Sequence, residues 1–249
     1  MHRFFAPDAN RISATVQLPP DEGRHLARVL RLAAGDTVYV FDGRGHEHAA
    51  VVTDVDRERV TVRTGAAVVP TPEAGVRVRL AVALLKRRKL DEVVRDATML
   101  GASVVTPLLT ANTARPVNTQ RQTARVRWTG IAVASAKQCG RAVVPHIDDP
   151  TTFERFVQTA PVDELRLLLV EPTAAADTGG TVSVRALSTA RRPATATVAI
   201  GPEGGWTRAE RNLAVDAGFR TVTLGMRTLR ADAAPVAALS VLQFVWGDL

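Results

Sequence analysis

Hydrophobic and polar positions change their period near residue 70. Before it, apolar residues fall in short runs. Ile12 to Leu18, Asp36 to Phe41, Glu47 to Val55 and Arg59 to Val69 read as strands, with Asp42-Gly43-Arg44-Gly45 as a turn between two of them. One helix is inserted, Asp21 to Leu32, with Pro19-Pro20 before it and Gly35 after it. Short strands joined by turns predict a small closed β-barrel. Pro70-Thr71-Pro72-Glu73-Ala74-Gly75 is a polar linker that sets one domain at 1–70 and another at 76–249. Beyond it strands and helices alternate. Val76 to Leu85, a helix Arg88 to Leu100 and Ser103 to Leu109 make a βαβ unit, and Leu90, Val93, Val94 and Ala97 form the helix's apolar stripe. A long helix is expected over Thr119 to Gln138. Leu165 to Val170, Thr195 to Ile200 and Thr221 to Leu224 then complete a largely parallel sheet, with Ala174 to Thr181 as a small, polar loop. The fold class is therefore α/β. The last helix, Ala233 to Trp246, is apolar on nearly every side, so one face packs on the sheet and the other needs a partner; a second copy of the chain is the simplest.

Two strand ends draw attention. Thr197-Val198-Ala199-Ile200 runs into Gly201-Pro202-Glu203-Gly204-Gly205-Trp206, and Thr221 to Leu224 runs into Gly225-Met226-Arg227-Thr228-Leu229-Arg230. Glycine lets a loop bring bare backbone against a ligand, and Pro202 fixes one φ angle. Thr207-Arg208-Ala209-Glu210 matches a capping box, so a helix starts at once. Open α/β sheets bind ligands at such an edge. Glycine turns after strands are also common without any ligand. There is no Gly-Lys-Ser/Thr and no Gly-x-Gly-x-x-Gly, which leaves a P-loop and a dinucleotide fold unsupported.

Charge sharpens the picture. Net charge is +7, yet residues 76–141 carry 13 Lys/Arg against 3 Asp/Glu, while the flanking segments are close to neutral. An arginine-rich block of this kind points to a polyanion, and arginine favours bidentate phosphate contacts. On the first helix Arg24, Arg28 and Arg31 fall at i, i+4 and i+7 and share one face, with Leu26, Val29 and Leu30 turned to the barrel. The ordinary alternative for that face is solvation. A single cysteine, Cys139, excludes an intramolecular disulfide and suits a cytoplasmic location. No apolar run reaches membrane-spanning length, and the five histidines are scattered, so neither membrane nor metal is expected.

The motifs Ile-Gly-Pro-Glu-Gly-Gly-Trp-Thr-x-x-Glu at 200–210 and Leu-Gly-x-Arg-x-Leu-Arg at 224–230 closely resemble the bacterial 16S ribosomal RNA uridine N3-methyltransferase family, within the knotted SPOUT methyltransferases. Arg3-Phe4-Phe5, His25-x-x-x-Val29-Leu30-Arg31, Thr98-x-Leu100-Gly101-Ala102 and Gln138-Cys139-Gly140-Arg141 extend the match over nearly all of the chain. The resemblance implies a PUA-like RNA-binding β-barrel followed by a SPOUT α/β domain with a trefoil knot. It implies S-adenosylmethionine as methyl donor, ribosomal RNA of the small subunit as substrate, and a homodimer through the C-terminal helix. Cofactor-binding positions would be Val170, Glu171, Pro172, Ile200, Gly201, Pro202, Glu203, Gly204, Gly205, Leu224, Gly225, Met226, Arg227, Thr228 and Leu229. RNA-binding positions would be Arg3, Arg24, His25, Arg28, Arg31, Arg115 and Arg141.

Transfer to a uridine nitrogen requires a proton to leave and anionic character to develop on the ring. Arg230, then Arg141, is the candidate cation for that charge, and Glu203 a candidate base whose ordinary alternative is to satisfy backbone donors. Glu210 reads only as the capping-box partner. The chain departs from the family pattern where x-Glu-Thr-Ala becomes Ala231-Asp232-Ala233-Ala234, and where Lys137 stands for a glutamate. Another RNA target, a ribose hydroxyl target, or an RNA-binding protein without catalysis remain alternatives.

Overall fold

The computed structural model describes residues 1–56, 59–86, 88–113, 121–159, 165–175 and 181–246. They form two units: Met1–Glu73 with Val133–Val144, and Ala74–Ala132 with Pro145–Leu249. Residues 133–144, assigned by sequence to the second domain, thus pack with the first.

In the N-terminal unit, β1 (Arg3–Phe5), β2 (Thr15–Gln17), β3 (Thr37–Phe41), β4 (Glu47–Val55) and β5 (Val60–Val68) hydrogen-bond in the order β1-β3-β4-β5-β2. With β1 and β2 at the two ends the ladder is open, a half-barrel in place of the expected closed one. Strand β2 is shorter than its apolar run because Ser13 is left-handed, with φ 60°, and no strand passes through such a residue. Strand β1, parallel to β3, was not anticipated. Alternate residues of the strands, Val16, Val38, Val40, Val52 and Val62 among them, meet Phe4 and Leu26 in one core.

The inserted helix departs from its sequence reading. Only α1 (Pro20–Arg24) is α-helical; His25–Leu30 is a π-helix that ends where Arg31 turns left-handed at φ 56°. The wider π turn breaks the 3.6-residue period. Leu26 and Leu30 still pack inward, but Val29 is exposed, and Arg24, Arg28 and Arg31 do not form the regular α-helical row expected of them.

Ion pairs tie the late segment into this unit. The Arg3 guanidinium forks onto Glu47 at 2.8 and 3.0 Å, donates to the carbonyls of Ala136 and Lys137, and lies over the Phe41 ring. Lys137, where the family pattern has an acid, meets Glu22 at 2.8 Å and the Phe4 ring at 4.7 Å. Arg141 is buried and pairs with Glu73 through Nε and a terminal nitrogen, at 3.1 and 2.5 Å.

The second unit is built on a parallel sheet. Strands β6 (Arg77–Ala83), β7 (Ala102–Leu109), β8 (His146–Ile147), β9 (Thr151–Thr152), β10 (Leu165–Leu169), β11 (Val182–Ser183), β12 (Thr195–Ile200) and β13 (Arg220–Thr223) include the path β11-β13-β10-β12-β6-β7-β8. β12 and most of β6 are buried, which is why they read as continuous apolar runs. The helices are α2 (Lys89–Met99), α3 (Arg121–Cys139), α4 (Phe153–Thr159), α5 (Pro172–Ala175), α6 (Val184–Leu187), α7 (Arg208–Asp216) and α8 (Ala234–Trp246). Phe153, Phe156 and Val157 of α4 and Ala214 of α7 share a core with Ala81, Leu108, Leu168 and Ala199 of the strands. Trp128 of α3 is buried, and its indole donates to Asp91 of α2. The α2 stripe is buried as read. On α8, Leu239, Leu242 and Trp246 are buried while Val241 and Phe244 are exposed. Among the described residues no helix is long and apolar enough to cross a membrane, and no cluster of His, Cys, Asp or Glu has the makings of a metal site.

The Arg3–Glu47 pair gives a first prediction. Arg3→Met leaves a buried carboxylate without its partner, at a cost of roughly 3 kcal/mol. The urea midpoint of the N-terminal unit should fall accordingly; an unchanged midpoint would show that Arg3 is not a structural residue.

Candidate functional site

Register brings three loops together. Strand β10 pairs Leu169 with Ile200 of β12 on one side and with Val222 of β13 on the other. Three neighbouring parallel strands therefore end at nearly one level, and the segments 170–172, 201–206 and 224–230 rise side by side from those ends. They enclose a cavity of about 470 Å³, the size of a small-molecule site.

Trp206 holds two of the loops in place. Its indole nitrogen donates to the Leu169 carbonyl at 2.9 Å, at the end of β10. Its ring packs on Phe153 with centroids 4.5 Å apart and lies beneath Gly201, where a Cβ would meet it at 3.1 Å. Gly205 has φ +67°, and a Cβ there would stand 2.7 Å from a Glu171 carboxylate oxygen. Gly205 is thus required by its left-handed φ, and a side chain at Gly201 would have to displace the Trp206 ring. The outer side of the loop is tied by Asn112, whose side-chain amide donates to the carbonyls of Gly204 and Gly205 at 3.0 Å each. The capping box forms as read: Thr207 accepts from the Glu210 amide, and Glu210 accepts from Thr207. Glu210 also accepts from the Ala111 amide at 2.8 Å.

Glu203 reaches the cavity wall, and its Oε1 accepts from the Lys86 amide at 3.2 Å. Backbone satisfaction was the ordinary reading of this carboxylate, although the donor lies before α2 and not in the following helix. At the rim, Arg230 forks onto Asp232 at 3.1 and 2.9 Å, and Lys89 Nζ lies 3.2 Å from the same carboxylate. Chiefly through Arg230, Asp232 is held down to about 2, well below the usual carboxylate range; the same contact raises the Arg230 guanidinium. A depressed carboxylate contributes stability above its unfolded value that is lost as pH falls toward 2. Near neutrality Asp232 is an anion.

Of the residues expected around a cofactor, Val170, Glu171, Pro172, Ile200, Gly201, Pro202, Glu203, Gly205, Leu224, Arg227, Thr228 and Leu229 line this cavity, and so does Arg230. Gly204, Gly225 and Met226 do not. Gly204 turns its Cβ position toward Asn112, and the Met226 side chain is 88% exposed. Sequence reasoning missed Lys89, Leu169, Trp206, Ala231 and Ala234 as lining residues. Trp206 could have been found from its place inside the loop motif; Lys89 could not, because Lys86-Arg87-Arg88-Lys89 reads as a solvated basic run.

The residues expected to meet RNA divide. Arg3 and Arg141 are engaged by Glu47 and Glu73 inside the N-terminal unit, and Arg141 lines no part of the cavity. Both guanidiniums are held by acids there. His25 packs near the Phe4 ring. Arg24, Arg28 and Arg31 are exposed, although Arg24 is paired with Asp21. Arg24 and Arg28 line a second cavity of about 550 Å³ with Arg59, which the sequence did not single out. Arg115 lies outside the described residues.

A family model described as an RNA methyltransferase domain matches residues 72–243, and one described as an RNA methyltransferase PUA domain matches residues 18–64. The chain belongs to this RNA methyltransferase family. A relative in Synechocystis, ribosomal RNA small subunit methyltransferase E, is 37% identical over 96% of this chain and 76% of its own. A Bacillus subtilis protein of the same name is 26% identical over 92% of this chain and 90% of its own. Among solved structures, a methyltransferase from Legionella pneumophila in complex with S-adenosylmethionine superposes with a TM-score of 0.89, at 29% identity over 99% of this chain and 98% of that one. Ribosomal RNA small subunit methyltransferase E from Neisseria gonorrhoeae, bound to S-adenosylmethionine, gives 0.88 at 27% identity, over 100% and 99%. The N-terminal half-barrel and the parallel α/β unit are thus the two-part fold of these enzymes.

The two loop glycines separate by substitution. Gly205→Ala forces an unfavourable φ and a carboxylate contact, and should cost about 1–2 kcal/mol in chemical denaturation. Gly204→Ala should cost less than half of that, since its new methyl meets only the Asn112 side chain outside the cavity. Equal losses would mean that Gly205 does not hold a left-handed φ.

Proposed function

We propose that the protein transfers a methyl group from S-adenosylmethionine to N3 of a uridine in small-subunit ribosomal RNA, as a cytoplasmic homodimer. The observation that carries this reading is the in-register ending of β10, β12 and β13, which gathers the two family motifs and the Val170–Pro172 segment around one cavity. The cavity fits the cofactor. Ile200, Leu224 and Leu229 offer apolar walls for an adenine, and Gly201 and Gly205 leave backbone bare. The knotted threading of the SPOUT fold belongs to the same reading.

Bound there, S-adenosylmethionine supplies an electrophilic methyl group. The protein's own residues do the rest. The imide proton of the target base must leave N3, and negative charge then develops on its carbonyl oxygens. Arg230, 74% exposed at the cavity rim, is placed to meet that charge. Asp232 is unsuited to take the proton, being held as an anion by two cations. Of the two carboxylates on the cavity wall, Glu171 lies under Gly205, and Glu203 receives the proton, directly or through water. Positioning supplies much of the acceleration. The N-terminal unit, with exposed Arg28 and Arg31 and the arginine-lined cavity beside α1, grips RNA phosphates.

Mapping of methylated nucleosides in ribosomal RNA treated with the purified protein and S-adenosylmethionine tests the reaction. A new N3-methyluridine at one position, reduced at least a hundredfold by Arg230→Ala, is expected. Methylation at a ribose hydroxyl, or none, would overturn it.

The dimer has its own test. Val241 and Phe244 lie on the outer side of α8, and Phe244 is 72% exposed. Burying such side chains against a second copy gains roughly 1.5–3 kcal/mol each. Leu239, the other substitution site the apolar pattern would suggest, is fully buried and would only damage the fold. Phe244→Glu with Val241→Glu should convert a dimer to a monomer by light scattering. A wild-type monomer at micromolar concentration would remove the dimer from the proposal.

A further inference from the structure

Lys89 stands at an unusual place. It is the first residue of α2, following Arg88, whose side chain makes no cap. A cation at a helix N-terminus is disfavoured by the unpaired N–H groups and the helix dipole. Asp91 and Glu92 in the same turn offset part of that cost. Yet the Lys89 side chain does not extend into solvent: it is 27% exposed, lines the cavity, and reaches Asp232 at 3.2 Å. Asp232 is 18% exposed and already accepts both arms of Arg230.

One carboxylate thus faces two cations, and the cluster carries a net positive charge at the cavity rim. The other charged groups around it are accounted for. Asp91 is taken by Arg127 at 3.0 Å and by the Trp128 indole. Glu203 accepts from the Lys86 amide, and Glu171 lies under Gly205. Arg227 lines the cavity and adds a further cation; Glu92 is the nearby acid, acting on Arg230 from a distance. Nothing in the packing of α2 requires a lysine at position 89, since the helix buries its stripe through Leu90, Val93, Val94 and Ala97.

We infer that Lys89 is a second cation of the acceptor subsite, tethered by Asp232, and that with Arg230 it binds the target base as its deprotonated imide. The inference rests on the proposed uridine N3 chemistry and adds to it a residue and a reason. Two cations on the carbonyl side of an imide lower the pH at which its proton is lost, so the reacting anion is populated nearer neutrality. Asp232 keeps both in place and stays charged over the whole working range, so it adds no titration of its own there. Its shorter side chain, where the family pattern has glutamate, is within reach of Lys89 and Arg230 together.

The test is the single-turnover methylation rate against pH, at saturating protein and S-adenosylmethionine, for wild type, Lys89→Met and Lys89→Arg. Under these conditions the profile reports ionisation within the complex. Lys89→Met should move the alkaline rise upward by about one pH unit, a tenfold loss at any fixed pH below it. Lys89→Arg should keep the wild-type midpoint. Cofactor affinity by calorimetry should stay within about twofold for both, and thermal melting should change little. A Lys89→Met protein slowed equally at every pH, or one whose loss follows a loss of cofactor affinity, would make Lys89 a tether for the 224–232 segment and overturn the inference alone. A wild-type protein that places no methyl on uridine N3 would overturn the underlying reaction, and the role of Lys89 with it.

Discussion

Everything at the sheet edge depends on a hydrogen bond from one indole. Trp206 donates to the last carbonyl of β10 while its ring supports Gly201, the first residue after β12. The bond gives this strand-end carbonyl a partner. It also fixes the distance between two loops that have no regular structure of their own. The capping box of Thr207 and Glu210 anchors the far end of the same loop, and Asn112 holds its outer side. With the loop tied at three points, bare glycine backbone can face a cavity without collapsing into it. The rigidity of the cavity therefore comes from side chains that contribute little to its polar chemistry.

Much of this was legible in the sequence. Glu47 to Val55 and Thr195 to Ile200 form strands over the residues their patterns marked, and the apolar stripe of α2 is buried as its period required. Thr207 and Glu210 announced their helix because a capping box is a local device, decided within four residues. The rest depended on partners distant in sequence. Strand β1 has three residues and exists only because β3 pairs with it. The π-helix at His25–Leu30 has no propensity signature, so the arginines were placed on a regular face they do not share. Lys89 and Arg230 are separated by most of the catalytic unit's sequence, and only the packing of α8 and the preceding loop beside α2 reveals that one aspartate serves both.

The arginines teach a related lesson. A basic block in a sequence predicts a polyanion, yet charge alone does not say which residues are free to meet it. Arg3 and Arg141 are fixed by buried or half-buried acids, and Lys137 by Glu22. Such pairs add little net stability when compared with apolar substitutes, but removing one partner is costly. They act as register pins: the Lys137 and Arg141 pairs, and the bonds from Arg3 to the Ala136 and Lys137 carbonyls, join residues near position 140 to ones earlier in the chain. Arg28, Arg31 and Arg59 face outward, from the π-helix, the residue that ends it and the residue before β5.

The N-terminal unit is not contiguous, since Val133–Val144 completes it. Phe41 meets Ala136 and Ala142 in a small core of its own, and Val143 bridges to the turn at Gly43 and Arg44. A ribosome making this chain releases the first 73 residues long before that segment exists. Until residue 144 emerges, Glu73 lacks the Arg141 guanidinium, Arg3 lacks the Ala136 and Lys137 carbonyls, and the half-barrel has one apolar flank open. The unit that comes first in the sequence is thus finished after strands β6 and β7 of the second have been synthesised. Its assembly is a long-range closure, slower in kind than the local pairing of its strands would suggest.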